Sequence, residues 1–511
     1  MAGAVKMADD SNVQAFDKIA KPSATNKIKR AALCKVVDYI MSDPEANIEK
    51  LMNMLDRVVP KTLFTNQRRS FRRAIDEKDN WYELMIHLLK DYDKDYMSSL
   101  IKTFIIDSNL LVWDQQEQNR KNLKCNIPWA ILLDPTSACN LHCTGCWAAE
   151  YGAKENLSYE EIDSIINQGV ELGIHMYIYT GGEPLVRKKD IIRLCEAHPD
   201  CAFLSFTNAT LIDQAFIDEL KRVKNFVPAI SVEGIGEATD VRRGEGTFAK
   251  IDKAMSLMNE NGLPFGVSLC HTSQNSDALV SEEFFDWLIE KGALFAWCFT
   301  FMPVGAKTKD CSLMATAEQR EQLYHFIRDL RTRKPIFTLD FQNDGEFVGG
   351  CIAGGRRYLH INARGDVEPC VFAHYSSANV REESLLDCLR SPLFMEYYYN
   401  QPFDGNNLLR PCPIYENTGA LADMVERSGA KSTDLEHYED PRDLGEKMRP
   451  RAEEWKPVAD RLWNNPDDPR AYWRDRVYIG MSEADIEKFE ARGKIGDVPV
   501  EERKAAHERI W

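Results

Sequence analysis

The chain has 511 residues, enough for about three domains and a large core without disulfide staples. Lys plus Arg number 64 against 80 Asp plus Glu, a formal charge of −16, which excludes general nucleic-acid binding driven by phosphate attraction. No run of roughly eighteen apolar residues is present, so no transmembrane segment is expected.

The first residues, MAGAVKMADDSNVQ, lack the apolar run of a signal peptide, which points to a cytoplasmic location. In that reducing compartment the fourteen cysteines signal metal binding or chemistry rather than disulfides. Residues 1–25 are polar and expected to be disordered or frayed. From 26 to 122 the pattern is helical: Ala32, Val36, Val37, Ile40 and Met41 recur at helical spacing, as do Ile48, Leu51, Met52 and Leu55. Asp43-Pro44 separates the two helices. The most apolar stretch, Tyr96 to Trp113, reads as a buried helix packed on the next domain, with a substrate-lining or membrane-surface role as the alternative.

From 123 to 335 short apolar runs alternate with helical patterns. The runs are 129–134, 176–180, 202–207, 226–232, 265–270 and 295–301. Ser158 and Glu161 form a capping-box pair ahead of Ile162, Ile165, Ile166 and Val170. Six strands with intervening helices predict an α/β fold, a partial (β/α)6 TIM-like barrel with chemistry in the loops after its strands. Residues 336–417 are rich in Gly, Asn, Asp and Cys and read as a small loop-rich, metal-stabilised extension. Within them YLHINARGDVEPC reads as a hairpin turning at residues 363–366. Residues 418–511 read as a charged helical tail anchored by Trp455, Val458, Leu462 and Trp463.

Cys139, Cys143 and Cys146 form a C-x3-C-x2-C array directly after the first strand. Three thiolates from one short loop can grip three irons of a cubane and leave the fourth open to a small molecule. Zinc is the competing reading, but zinc sites pair two knuckles and no second knuckle follows nearby. Gly181-Gly182-Glu183-Pro184 ends the second strand, and Thr207-Asn208 the third. Ser231-Val232-Glu233-Gly234 ends the fourth, and Arg242-Arg243-Gly244-Glu245-Gly246-Thr247-Phe248 opens the helix beyond it. Met302-Pro303-Val304-Gly305 follows the sixth.

In order and placement these motifs resemble the radical S-adenosylmethionine superfamily. The resemblance implies a 4Fe–4S cluster on Cys139, Cys143 and Cys146, with S-adenosyl-L-methionine chelating its open iron. It implies that Gly181, Gly182, Glu183 and Pro184 meet the cofactor's amino group, with Thr207 and Asn208 as a polar pair nearby. Ser231 and Glu233 would face the ribose or methionyl carboxylate, Arg242 the carboxylate, and Met302 the adenine. A surface pair is the alternative for Arg242 and Arg243. The sequence departs from the family at Gly145, where many relatives carry an aromatic residue. The implied reaction is reductive cleavage to a 5′-deoxyadenosyl radical, which abstracts hydrogen from a substrate, with a ferredoxin- or flavodoxin-type electron donor.

Cys351, Gly365 and Cys370, spaced C-x13-G-x4-C, resemble the opening half of the SPASM or twitch extension, which binds auxiliary iron–sulfur clusters. With Cys412, between two prolines, they imply one auxiliary 4Fe–4S cluster. Its fourth ligand is left open among Cys388, Cys311, His374, another protein group and a substrate, while zinc or no metal is the plainer alternative. Cys34, Cys125, Cys195, Cys201, Cys270, Cys298 and Cys311 fit core packing, and Cys388 a buried helical thiol. Asp340, Asp344 and Glu346 are candidate proton acceptors, with turn formation as the alternative. Tyr177, Tyr179 and His271 are further candidates. The substrate is a peptide or protein, a small metabolite or a lipid-like molecule, the helical N-terminus weighing against a ribosomal peptide. An iron–sulfur electron-transfer or metal-binding scaffold without turnover is the non-enzymatic alternative.

Overall fold

The computed structural model describes residues 18–58, 65–305, 311–404 and 407–468. Residues 1–17 of the expected frayed start and 469–511 of the tail lie outside them. Lys18 and Ala20 are held: Asn122 donates to the Lys18 carbonyl (3.0 Å) and the Ala20 N–H to Asn119 Oδ1 (2.7 Å).

The N-terminal region is helical, from Asn26–Ser42 through Trp113–Leu123, and the chain breaks at Asp43 before Pro44–Val58. The apolar stretch divides into an α-helix, Lys94–Ile101, and a π-helical stretch, Lys102–Leu110. It docks on the sheet as expected. Tyr96 is buried and donates to the Phe226 carbonyl, and Ser108 donates to the His175 carbonyl (2.9 Å).

Seven strands run parallel in chain order: β1 Ala130–Leu133, β2 Met176–Tyr179, β3 Ala202–Thr207, β4 Phe226–Ser231, β5 Phe265–His271, β6 Ala293–Thr300 and β7 Phe337–Asp340. Helices connect them, the clearest being Tyr159–Leu172, where Ser158 and Glu161 close the expected capping box. The sheet holds three strands beyond the six expected of the barrel. β7 adds one more unit after the helix Ala317–Leu330, so the alternation runs past residue 335. β8 (Tyr358–Ile361) pairs in parallel with β1 and turns into the antiparallel β9 (Val367–Glu368). The expected hairpin is therefore present, and it extends the main sheet.

Side chains of successive strand residues point to opposite faces. Ile131, Leu133, Tyr177, Tyr179 and Phe203 pack under the helices. Ala130, Leu132, Met176, Ile178, Ala202 and Leu204 face the inside. Strands covered on both faces account for the wholly buried β1 and β2. In strand order β6 and β8 are six spacings apart, about 29 Å on a flat sheet at ~4.8 Å per spacing. Both nonetheless line one cavity of about 240 Å³, together with residues of β1 to β5. The sheet therefore curls around that cavity, open between the β7 and β9 edges, as a partial barrel does.

Beyond the extension, helices Ala420–Ser428 and Pro441–Trp463 follow. Trp455, Leu462 and Trp463 are buried against Tyr324, Leu408 and Leu409, and the Trp455 indole donates to the Leu409 carbonyl (2.9 Å). No helix among the described residues is long and apolar enough to cross a membrane.

Candidate active site and metal centres

The loop after β1 brings Cys139, Cys143 and Cys146 to the cavity wall. It is pinned from the β2 end: the Gly182 N–H donates to the Thr136 carbonyl (3.0 Å) and the Glu183 N–H to the Ala138 carbonyl (2.9 Å). This approach requires glycine. A Cβ on Gly182 would stand 2.2 Å from the Ala138 oxygen, and Gly181, at φ +102°, would press one onto Asp134 at 2.8 Å. The two glycines thus lock the second-strand loop under the cysteine loop as well as lining the cavity.

Glu183 is buried and its carboxylate accepts from the Thr207 hydroxyl (2.7 Å), the Asn208 N–H (2.8 Å) and the Leu185 N–H (2.9 Å). Burial lifts its pKa against these three donors. A carboxylate has about four lone-pair sites, so one acceptor position remains. Ser231, Arg242, Arg243 and Met302 also line the cavity. Glu233 does not. It is fully buried behind the arginines, with Oε1 2.6 Å from Arg242 and 2.5 Å from Arg243, and Oε2 accepting from the Cys270 N–H (3.0 Å). One carboxylate against two guanidiniums leaves a net positive charge, and the buried Nε atoms of both arginines have no partner among the described residues. Arg243 Nη1 lies 4.0 Å from Cys143 Sγ. That wall suits an anionic thiolate cluster or a ligand carboxylate.

Gly145 stands at φ +67°, and a Cβ there would lie 2.5 Å from the Phe301 ring. The ring that many relatives place before the third cysteine is absent, and Phe301, from beyond β6, fills the space. Trp297, Phe299 and Phe301, two residues apart, face the cavity together with Phe206 and Phe341. This aromatic wall was not singled out from sequence, although its period of two was visible in FAWCFTF.

Asp340, Asp344 and Glu346 do not line the cavity. Asp344 is held bidentately by Arg331 (3.0 and 2.6 Å), Glu346 by Arg328 (2.7 Å), and Asp340 accepts from the Asn343 amide (2.8 Å). Arg328, at the end of the preceding helix, and Arg331, just beyond it, pair with Glu346 and Asp344, and Asp340 accepts within its own turn. Tyr177 points under the helices and donates to the Ile166 and Ile174 carbonyls. Tyr179 stacks on Phe203. His271 is buried against Ser276 (2.9 Å), and burial lowers its pKa to about 4.

A buried network not anticipated from sequence lies beneath the cysteine loop. His360 bridges Asp134 (2.9 Å) and Glu368 (2.6 Å), and Tyr151 donates to Glu368 (2.7 Å). Burial works against the His360 charge, but the two carboxylates outweigh it and raise the pKa to about 10. Trp147, next to Cys146, meets the rings of His360 (5.6 Å) and Phe372 (6.5 Å) edge-on.

The second cysteine set gathers Cys351, Cys370 and Cys412 beside Tyr358 and Tyr397, whose hydroxyls feel all three thiols. Burial pushes the Cys370 thiol up to about 12. Each sulfur is met by a backbone N–H two residues on: Ala353 at Cys351, Phe372 at Cys370 (3.5 Å) and Ile414 at Cys412 (3.4 Å). Leu141 does the same at Cys139 (3.5 Å), and Ala148 at Cys146. Of the proposed fourth ligands, Cys388 is buried in the helix-side core, Cys311 points to the Lys447 carbonyl (3.8 Å), and His374 is held by Asp434 (2.6 Å). Among the described residues only His175, Asp200 and Cys201, at the opposite strand ends, gather ligand atoms within 4.8 Å of one another. Neither cysteine trio is drawn in around a single ion, so the wider grip of a cluster fits both better than zinc does.

The family model described as the radical SAM superfamily matches residues 133–280, and that of an iron–sulfur cluster-binding domain, SPASM, matches residues 351–413. The chain is a radical S-adenosylmethionine enzyme. Its two matched regions start at the end of β1 and at Cys351, and they imply a 4Fe–4S cluster, S-adenosylmethionine and auxiliary iron–sulfur binding. The chain is 24% identical to an AdoMet-dependent heme synthase of Oleidesulfovibrio alaskensis, over 54% of this chain and 78% of that one. It is 26% identical to a PqqA peptide cyclase of Granulibacter bethesdensis, over 53% and 76%. A solved structure of Streptococcus suis SuiB bound to its precursor peptide SuiA aligns with TM-score 0.47 and 19% identity, over 62% of this chain and 82% of that one. By their names these relatives act on different molecules.

Proposed function

We propose that Cys139, Cys143 and Cys146 hold the cluster that cleaves S-adenosylmethionine, and that Cys351, Cys370 and Cys412 hold an auxiliary 4Fe–4S cluster. The supporting observation is the shared local geometry: five of these six sulfurs receive an N–H from two residues on. Bound at the first site, the reduced cluster and S-adenosylmethionine supply a 5′-deoxyadenosyl radical that takes a hydrogen atom from the substrate.

The protein's part is placement and exclusion of water. Glu183, fixed by Thr207, Asn208 and Leu185, has one acceptor site left for the ammonium group, and the Gly181-Gly182 backbone gives it room. Pro184 starts the short 3-10 helix that follows and fixes that loop's exit. Arg242 and Arg243, aimed by Glu233, take the carboxylate end, Ser231 faces the ribose, and Met302 with Phe301 closes on the adenine. The substrate presents its C–H bond along Phe206, Trp297, Phe299 and Phe341, and this wall serves a peptide, a metabolite or a lipid-like molecule. A ferredoxin- or flavodoxin-type donor in the cytoplasm supplies the electron.

The test is formation of 5′-deoxyadenosine by the anaerobic, reduced protein. Cys139, Cys143 and Cys146 changed together to Ala abolish it, and undiminished cleavage in that variant would sink the assignment.

A further inference from the structure

Tyr397 carries a polar atom that the fold leaves unanswered. It lies on the helix Pro392–Asn400, fully buried, with its ring edge-on to Phe403 (5.4 Å). The chain makes room for it: Gly354 sits at φ +62°, and a Cβ there would stand 2.4 Å from Tyr397 Cβ. Yet the hydroxyl has no hydrogen-bond partner among the described residues. An orphaned buried hydroxyl is destabilising, a cost that a phenylalanine in the same apolar setting would avoid. Among the described residues the ionisable groups that bear on this hydroxyl are Cys351, Cys370 and Cys412. Tyr358, on β8, reaches the same place from the barrel side and donates to Cys370 Sγ at 2.7 Å. Two phenols from different elements thus converge on three thiols that already receive backbone N–H groups.

We propose that Tyr358 and Tyr397 are hydrogen-bond donors to the iron–sulfur cluster held by Cys351, Cys370 and Cys412, Tyr358 to the Cys370 thiolate and Tyr397 to a sulfur on the neighbouring face. This rests on the assignment of that cluster above. Burial keeps both phenols protonated, which makes them donors to sulfur rather than phenolate ligands. A donor to cluster sulfur stabilises the more negative, reduced state and raises the reduction potential. Tyr397 does not line the cavity and Tyr358 does; in the proposed role both act on the cluster rather than on substrate or S-adenosylmethionine.

The test is an anaerobic redox titration of the full-length holoprotein, followed by electron paramagnetic resonance, in wild type, Tyr397→Phe and Tyr358→Phe. Added S-adenosylmethionine identifies the signal of the first cluster by shifting it and leaves the auxiliary signal in place. Each variant should retain the wild-type iron, about eight per chain for two cubanes. At the wild-type auxiliary midpoint the ratio of reduced to oxidised cluster should fall about tenfold, which is about 59 mV for a one-electron couple. The midpoint of the first cluster should not move. Full iron with an unchanged auxiliary midpoint in both variants would refute the donor role and leave the cluster assignment standing. Loss of iron in Tyr397→Phe would make that phenol a ligand and equally overturn the donor role. About four irons per chain in wild type, unchanged when Cys351, Cys370 and Cys412 become Ala, would remove the cluster itself and the proposal with it.

Discussion

At the residue scale the site depends on buried charges that serve other charges. Glu233 is the clearest case, because its carboxylate never reaches the cavity and acts by aiming Arg242 and Arg243. Replacing Glu233 with Gln keeps the shape and removes the counter-charge of two buried guanidiniums. Breaking such a pair costs about 3–5 kcal/mol. We expect Glu233→Gln to lower the urea midpoint and to weaken S-adenosylmethionine binding, read by equilibrium dialysis. A variant that unfolds and binds like wild type would show that the arginines need no aiming. Gly182 makes a second, steric prediction. With the Ala138 oxygen 2.2 Å from a would-be Cβ, Gly182→Ala has to push two loops apart. Overpacking of this kind costs about 1–3 kcal/mol. The loop that yields carries the cysteines, so iron content of the purified variant is the measurement, and it should fall at the first site.

At the element scale, the strands that were legible are those with strong local patterns. AFLSFT and FGVSLC carry apolar runs bounded by turns, and the Ser158–Glu161 cap marked a helix start that the structure reproduces. β7 escaped because FTLD carries Thr and Asp at alternate positions and an exposed first residue, so it makes no apolar run. β8 was read as half of a local hairpin, which it is, but its parallel pairing with β1 joins residues far apart in the chain and leaves no periodic trace. The cysteines and the glycine pair were visible because their chemistry is dense in sequence. The roles of Glu233 and of the Asp134–His360–Glu368 network were not, since each joins single residues from separate strands and loops. His271, at the end of β5, gives this scale its prediction. Its pKa drops from 6.5 to about 4 in the fold, because burial beside Ser276 and the positive field of Arg320 disfavour the cation. The unfolded chain therefore binds the extra proton between those values. The stabilisation is complete above pH 6.5 and is lost as the pH falls toward 4. Between pH 7 and pH 5 the loss is about 2 kcal/mol. His271→Gln, which cannot titrate, should show a shallower fall of urea midpoint over that range. Equal slopes in variant and wild type would rule the histidine out.

At the scale of the whole molecule, the two cysteine sets are parts of one sheet rather than of two units joined by a linker. β1 leads directly into the cluster loop on one side and is covered on the other by β8, which leads through the turn to β9 and Cys370. His360 of β8 holds Asp134 at the root of the cysteine loop, and Trp147 beside Cys146 packs on His360 and on Phe372, two residues past Cys370. A chain ending at residue 335 would keep the six strands expected from sequence and the complete C-x3-C-x2-C array. It would also lose β7, which covers β6, and expose β1 as a bare edge with the Asp134 carboxylate buried beneath and unpaired. An uncovered central strand invites pairing with other chains, and a buried carboxylate without its histidine costs several kcal/mol. We therefore expect residues 1–335 to be aggregation-prone in size-exclusion chromatography and to hold well under one cluster's iron after anaerobic reconstitution, although Cys139, Cys143 and Cys146 are all present. A monodisperse fragment with about four irons and undiminished S-adenosylmethionine cleavage would mean that the extension is an independent module. The β1–β8 pairing makes the opposite case: β1, which carries the loop of Cys139, Cys143 and Cys146, is paired on both sides, so the extension supports that loop through the sheet.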